Sequence, residues 1–412
     1  MISIEEQSQL TESHVAALGL HDTYAPMPID KLALNRGNDG CWWASYYIGL
    51  TEINGKYVEV LPKLENLDFM ALFSYALMYQ PSSDYFSSCY DIRWNEETYA
   101  SSDMYDILTP LLVMQYLNIL EKLVGKGLKR DYQTIQENIH AKIKGKLKPI
   151  LHWRKNGIKK KEDHFYCQYQ VYTADIPVNR LLKKALDISF QLLGNVRAKS
   201  CNMNAVAFLS SKLKIRDAFK DISNNIHPES IRNYKFDKLN MHYSDAIKLA
   251  KQIIRHEDNA LKNNSGQKRV PLFWIDMARL YEVYVLGILQ SKYPLQIRFQ
   301  QKGSYGTQCD YIHIGESIVL DAKYKPWYSS YSGRCNHVDS LIADIREISG
   351  YARDEKLLQM MDECNSSPIC VIVHPDDKET NLNMKLADAV KNDKIEGYRD
   401  FYRLRVSLPR FK

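Results

Sequence analysis

A chain of 412 residues is long enough for two or three domains, each with a full core. Its 45% hydrophobic and 25% charged residues are those of an ordinary soluble globular protein, and the net charge of +6 permits contact with nucleic acid without demanding it. The eight cysteines show no CxxC pair, no zinc spacing and no iron–sulfur cluster pattern, which predicts reduced thiols.

The N-terminal stretch MISIEEQSQLTESH has no basic segment followed by an apolar one, and no apolar run approaches the ~20 residues of a membrane span. A cytoplasmic protein without a membrane partner is therefore expected. No GxxxxGK[ST] occurs, so the chain is not expected to bind a nucleotide itself. Residues 40–62 read as strands, with Asn54-Gly55 as a hairpin turn and Pro62 as the stop. Asp68 to Tyr79 predicts a short amphipathic or buried helix. A further helix is predicted to start at Thr109-Pro110, with proline at its first position, and to end at Gly125.

From 126 to about 262 the reading is mainly helical. It includes a basic tract (Lys142, Lys144, Lys146, Lys148, Arg154, Lys155 and Lys159–Lys161) with a turn at Asn156-Gly157. Glu162 and Asp163 follow at once and aromatics are not interleaved with the lysines, which favours a solvated surface over a phosphate-tracking ridge. Residues 263–268 read as a linker. A helix over Ile275–Leu289, a strand over Leu295–Gln300, a hairpin over 310–323, a helix over Asp339–Ala352 and strands over Pro368–His374 and Phe401–Leu408 complete the order. The predicted domains are a mixed α/β region over 1–125, a mainly helical region over 126–265 and a C-terminal α/β domain over 270–412.

The hairpin carries the chemistry. Gly315-Glu316 between two β-branched runs predicts a two-residue type II′ turn. That turn pairs Ile314 with Ser317, Ile312 with Val319 and Asp310 with Asp321, and directly opposed residues share a face. Lys323, two residues on, lies on the same face. Two carboxylates this close repel each other unless a cation sits between them, and oxygen-only ligands suit Mg²⁺ or Mn²⁺. An adjacent ammonium can orient water or stabilise charge on a phosphate. The plain alternative is a solvated edge with an ordinary salt bridge, but the apolar strands (Ile312, Ile314, Ile318, Val319, Leu320) point to a hairpin covered on both faces.

Supporting residues are weaker signals. Glu282 is the one acid between Ala278 and Leu289, on a helix that is apolar nearly all round. Such a carboxylate either pairs with Arg279 or serves as a third metal-side group. Glu347 and Tyr351 lie one helical turn apart, flanked by Arg346 and Arg353, which read as phosphate-binding or as a surface ion-pair set. Lys325 reads equally as a phosphate contact or a solvated lysine, and His313 as a packed residue.

Glu282, Asp310, Asp321-Ala322-Lys323 and Glu347…Tyr351 together resemble, in this order, the PD-(D/E)xK nuclease superfamily. The departures are Glu347 where Gln is usual and Cys309 where Pro often precedes the first Asp. More specifically, the chain resembles the McrC family. The likeness rests on Tyr57-Val-Glu-Val-Leu-Pro62-Lys63, Gly127…Arg130-Asp-Tyr132, Ile143-Lys-Gly145-Lys146, Asp175…Asn179-Arg180-Leu-Leu-Lys183, Trp274-Ile-Asp276-Met277…Glu282 and Leu320-Asp-Ala-Lys-Tyr-Lys325. It covers roughly residues 45–410.

The resemblance implies an α+β multidomain chain. An N-terminal region would dock on a GTP-hydrolysing AAA+ ring of the McrB kind and stimulate it. A helical middle would follow, and then a restriction-endonuclease-like domain with a central mixed sheet flanked by helices. It implies Mg²⁺-dependent cutting of double-stranded DNA carrying modified cytosine, with Asp310, Asp321 and Glu282 on the metal and Lys323 at the reacting phosphate. Lys325, Glu347, Tyr351, Arg346 and Arg353 would support DNA binding. A non-catalytic activator of the AAA+ partner and a stand-alone RecB-like repair exonuclease are the alternatives.

Overall fold

The computed structural model describes residues 2–20, 34–36, 40–78, 85–93, 99–197, 203–226, 243–262, 269–325, 335–361 and 367–411. The predicted linker 263–268 and Tyr79 lie outside them. The chain is a mixed α+β protein that divides into two compact units. One contains residues 1–114, 195–208 and 265–412, and the other contains 115–194 and 209–264.

The first unit holds two five-stranded sheets. In the N-terminal one, β1 (Ile2–Glu5) runs parallel to β3 (Lys56–Leu61), which pairs with β2 (Tyr47–Ile53). Asn54 and Gly55 have φ of 48° and 73°, the left-handed pair that a type I′ turn requires. This is the hairpin predicted from Asn-Gly. β4 (Tyr90–Arg93) lies at the far edge, and the place between β2 and β4 is filled by the strand Leu272–Asp276 from much later in the chain. Helix α1 (Phe69–Met78) is buried along nearly its whole length and is capped by Asp68, whose carboxylate accepts the Ala71 N–H at 3.0 Å.

Helix α2 (Ser102–Lys126) corrects the predicted start at Thr109-Pro110: Pro110 lies inside a 25-residue helix. Ser101 caps it through the Met104 N–H, and Thr109 Oγ1 donates back to the Tyr105 carbonyl at 2.7 Å. A mid-helix proline costs ~3 kcal/mol, which burial of Leu108, Leu111, Leu112 and Met114 on the surrounding turns offsets. By length and composition alone α2 could cross a membrane, but 78% of its apolar window is buried inside the protein. It is a core helix.

In the second unit, the mainly helical reading fails over 131–173. A three-stranded antiparallel sheet stands there, β5 (Asp131–His140), β6 (Lys146–Leu147) and β7 (His164–Thr173), with β7 in the middle. Polar residues hide the strand period of β5, which is exposed and has little apolar alternation to read, while β7 does alternate. Asn156 is not in an exposed turn. It is buried, with its amide bonded to Asn138, the His164 carbonyl and His152. Helices α3 (Pro177–Arg197) and α4 (Tyr243–Lys262) follow. Asn179 binds the carbonyls of Lys129 and Ala174 at 2.9 and 2.7 Å, tying α3 to the chain just before β5 and just after β7. Arg180 closes the same corner with a bidentate pair to Asp175. The Asp175…Asn179-Arg180 segment is thus a structural joint.

The C-terminal sheet has the order β9 (Ile297–Lys302), β10 (Gln308–His313), β11 (Ile318–Ala322), β12 (Ile369–Pro375) and β13 (Phe401–Val406), once the strand Leu272–Asp276 is taken as β8. It is mixed: β9–β10–β11 are antiparallel, while β11–β12–β13 are parallel. Asp276 ends β8 and caps α5 (Met277–Lys292) by accepting the Arg279 N–H at 3.0 Å. That cap moves the helix start two residues beyond the predicted Ile275. On the other face, Cys309, Ile312, Val319 and Cys370 pack against Ile348 and Tyr351 of α6 (Cys335–Tyr351).

Helix α5 packs on α1 at Gly287, where an added Cβ would lie 2.4 Å from the Tyr75 carbonyl oxygen. Gly287→Val is therefore expected to destabilise the protein by about 1–3 kcal/mol, since backbone cannot give way as a flexible side chain would. A lowered thermal midpoint, with the fold retained by circular dichroism, is the outcome to check.

Candidate functional site

The 310–323 hairpin keeps the predicted register but not the predicted turn. Ile312 pairs with Val319 and His313 with Ile318, so the ladder points onward to Asp310 and Asp321. Residues Ile314–Glu316 form a 3-10 turn, and Ser317 takes the left-handed conformation with φ of 50°. A type II′ turn would instead need a positive φ at Gly315, which it does not have. The four-residue loop is stabilised by His313 Nδ1, which accepts the Glu316 N–H at 3.2 Å, and the Glu316 carboxylate in turn accepts the N–H groups of Leu386 and Ala387. His313 is fully buried, as expected of a packed residue.

At the open end of the hairpin, Asp310 and Asp321 lie close enough that the charge of Asp310 acts on the Asp321 carboxyl. Asp310 Oδ2 accepts the Ala322 N–H at 2.9 Å, and Lys323 Nζ lies 2.7 Å from Asp321 Oδ2. The period-2 rule thus brings all three side chains together. Burial, and after it the charge of Glu282, pushes the Asp310 carboxyl up to about 7. Burial and the neighbouring Asp310 raise Asp321 well above the usual range. Burial opposes the charge on Lys323, but Asp321 and Glu347 outweigh it and hold the ammonium firmly protonated.

Glu282 arrives from α5. The salt bridge to Arg279 that its sequence position suggested is made instead by Asp276, 3.5 Å from the Arg279 guanidinium. Glu282 is joined to Asp310 through Gln300, whose Nε2 donates to Glu282 Oε2 at 2.9 Å and to Asp310 Oδ1 at 3.4 Å. Tyr85 lies on the other side, its hydroxyl 3.4 Å from the same Glu282 oxygen, and the Tyr311 hydroxyl donates to the Glu282 carbonyl at 2.6 Å. Burial and then Asp276 raise the Glu282 carboxyl to about 7. Gln300 holds its place with φ of 52°, a conformation that costs a non-glycine residue about 1–2 kcal/mol. Sequence reasoning missed Gln300 and Tyr85. The left-handed backbone that brings Gln300 to both acids has no signature in the Gln300-Gln301 dipeptide.

From α6, Glu347 Oε2 accepts from Lys323 at 2.8 Å and Glu347 Oε1 accepts from the Tyr351 hydroxyl at 2.9 Å. Burial pulls the Glu347 carboxyl up, but the Lys323 hydrogen bond and charge bring it below the usual range. Lys325 is held by Asp344 at 2.6 Å and Ser340 at 2.8 Å, which places it on the helix behind the site. Arg346 is exposed on α6, and the Arg353 guanidinium turns back to the Ser349 carbonyl at 3.1 Å, so neither joins the carboxylates. Glu347→Gln removes one counter-charge from Lys323 while keeping an acceptor for it. A loss of activity of no more than about tenfold is expected, read as initial cleavage rate, because a charge-assisted bond is worth only ~1 kcal/mol more than a neutral one.

Behind the site, Tyr324 packs into the N-terminal sheet's exit. Its hydroxyl donates to Glu6 Oε1 at 2.8 Å, and Lys63 Nζ lies 3.9 Å above its ring and donates to its carbonyl at 3.2 Å. Two segments singled out separately in the sequence, Leu61-Pro62-Lys63 and Lys323-Tyr324-Lys325, therefore clamp one another. Burial raises the Glu6 carboxyl to about 7 and lowers the Lys63 ammonium to about 8, so this clamp is buried charge held by mutual contact.

The donor set fits a hard divalent cation. It offers carboxylate oxygens alone, with titration pushed upward first by burial and then by the neighbouring acids. Asp310 and Asp321 are the residues that would hold such an ion, with Glu282 one side chain away across Gln300.

The family model described as "McrBC 5-methylcytosine restriction system component" matches residues 43–344. Among solved structures, the chain is similar to one from a refined half-complex of a tetradecameric assembly of Thermococcus gammatolerans McrB AAA+ hexamers with bound McrC. The match has 15% identity and a TM-score of 0.38, covering 98% of this chain and 94% of that one. It is also similar to a chain of the cryo-EM structure of the Thermococcus gammatolerans McrBC complex, at 15% identity and a TM-score of 0.31, covering 71% and 87%. No curated protein matches the chain.

Proposed function

This chain belongs to the family of McrBC 5-methylcytosine restriction system components, and from that premise we propose that it is the system's Mg²⁺-dependent nuclease subunit. One observation carries the reading: Asp310, Asp321 and Lys323 meet at the strand ends of a mixed sheet, Asp321 buried and the other two half-buried, with acids in excess of positive charge. The arrangement agrees with a PD-(D/E)xK nuclease core.

When bound, the divalent ion supplies Lewis acidity and a nucleophilic water. The chain's own groups do the rest. Asp310 and Asp321 would hold the ion, and the Ala322 N–H keeps Asp310 from swinging away. Gln300 holds Glu282 beside Asp310. Lys323, protonated and anchored by Glu347, presents fixed positive charge where the phosphate gains negative charge. No proton need leave Lys323 for this role.

The substrate is double-stranded DNA with modified cytosine, and the partner is an AAA+ GTPase ring of the McrB kind. A component with no GxxxxGK[ST] of its own depends on such a partner for nucleotide-driven work. The test is cleavage of a methylcytosine-containing plasmid in Mg²⁺ by this protein, with and without the AAA+ subunit and GTP. Cutting that requires all components supports the reading. Faster GTP hydrolysis with no cutting in any mixture would overturn it in favour of a non-catalytic activator.

A further inference from the structure

The exposed sheet of the second unit carries a side-chain cluster of different chemistry from the carboxylate site. His140 ends β5 and His164 begins β7, and the two are direct partners across the antiparallel ladder. Asp163 immediately precedes His164. Its Oδ2 lies 2.7 Å from His140 Nε2 and its Oδ1 lies 2.7 Å from His164 Nδ1. The two rings stand 5.0 Å apart between centroids, at 76° to one another. One ligand atom from each of the three residues lies within 4.8 Å of the others.

We propose that His140, Asp163 and His164 form a binding site for a borderline divalent cation of the zinc class, where residues 141–163, which include β6, connect β5 to β7. The donor chemistry decides the metal. Imidazole nitrogen with one carboxylate suits Zn²⁺, Ni²⁺ or Cu²⁺, whereas Mg²⁺ favours oxygen alone. Geometry favours binding without backbone change. Opposed residues in an antiparallel ladder keep Cβ atoms ~5 Å apart, and ligands ~2.1 Å from a tetrahedral zinc stand about 3.4 Å from each other. The three ligand atoms lie within 4.8 Å of one another, and side-chain rotation that opens the 2.7 Å Asp–His contacts toward that spacing is what an ion requires.

In the metal-free protein, the ring nitrogens facing Asp163 bridge to it through protons. On binding, those nitrogens give their lone pairs to the metal, and the displaced protons pass to the other ring nitrogens or to water. Solvent completes the coordination, since His140 and Asp163 are exposed.

The consequence is a clip. The ladder ends at this pair, and the Ala141 N–H to Asp163 carbonyl bond at 2.7 Å is the next tie across the same end. A bound ion fixes both strands at the ends of the lysine-rich connection between them. The chain would then hold two metals of different character, a hard one among buried carboxylates and a borderline one on the exposed hairpin.

The test uses the full chain, stripped with a chelator and titrated with Zn²⁺ against a chromophoric competitor. Wild type and Asp321→Ala are expected to bind alike, which separates this site from the carboxylate one. His140→Ala and His164→Ala are each expected to weaken binding by at least about tenfold, since losing a ligand costs no less than the roughly 10–100-fold of losing an outer-shell partner. Zn²⁺ should also slow proteolysis within 141–163 in wild type but not in His140→Ala. His140 is exposed, so its replacement leaves the fold intact, and circular dichroism checks this. No Zn²⁺ binding by wild type, or equal binding by the His140→Ala/His164→Ala double variant, overturns the proposal.

Discussion

Asp321→Ala is expected to reduce cleavage of methylated plasmid by roughly 10³-fold or more, well beyond the roughly 10–100-fold that outer-shell changes cost. The expectation follows from the position of this carboxylate in the structure. It is buried on β11 between Asp310 and Lys323, and it is the nearest anion to the lysine, at 2.7 Å. Its loss removes a candidate metal ligand and frees Lys323 to settle wholly on Glu347. Because alanine also leaves a gap, Asp321→Asn should be run beside it: the shape is kept and only the charge and ligand strength change. Both variants should still stimulate GTP hydrolysis by the partner ring, since the site lies in a domain whose sheet and helices do not depend on that charge. Cleavage at the wild-type rate by Asp321→Asn would remove this aspartate from the chemistry.

Parts of this site are legible in the amino-acid sequence alone, and the division has physical causes. Asn54-Gly55 announces its turn because a type I′ geometry demands two left-handed residues that few pairs provide. The Asp310/Asp321/Lys323 face is legible because strand alternation is strict over a short hairpin. Its turn is not, since Gly-X between strands also suits a four-residue loop in which a serine takes the strained position. Gln300, Tyr85 and the Glu6–Lys63–Tyr324 clamp escape a sequence reading because each joins elements distant along the chain, and no local pattern encodes such a meeting. The 131–173 sheet is hidden for the opposite reason. Its first long strand, Asp131–His140, is exposed and polar and leaves almost no apolar alternation. The other, His164–Thr173, does alternate over Cys167-Gln168-Tyr169-Gln170-Val171 and is masked only by its position behind the basic tract. Pro110 misleads through a sound local rule, overridden by burial along both sides of the helix.

The same electrostatic imbalance gives the second large effect. Asp310→Asn is expected to abolish cleavage and yet stabilise the metal-free protein at pH 8. The sign follows from linkage. Asp310 and Glu282 titrate near 4 when unfolded but near 7 when folded, pushed up first by burial and then by neighbouring acids. The folded state therefore holds more protons than the unfolded state between about pH 4 and 7, so stability falls as pH rises through that window and is lowest above it. Each unit of raised pKa amounts to about 1.4 kcal/mol, so neutralising one of these acids should raise the thermal midpoint at pH 8 by several degrees while changing little at pH 4.5. Added Mg²⁺ should stabilise wild type at pH 8 by binding the ionised pair, and should do so less at pH 6, where protons compete for the same oxygens. The variant should lose this Mg²⁺ response. Thermal scans at pH 4.5, 6 and 8, with and without Mg²⁺, separate the outcomes. A wild-type stability that rises from pH 4.5 to 8 without metal, or an Asp310→Asn variant less stable than wild type at pH 8, would mean that the carboxylates are already neutralised by groups of the fold and need no cation. The opposite result ties stability, pH and metal to one pair of buried acids, the cost a fold bears when it keeps charge ready for a ligand.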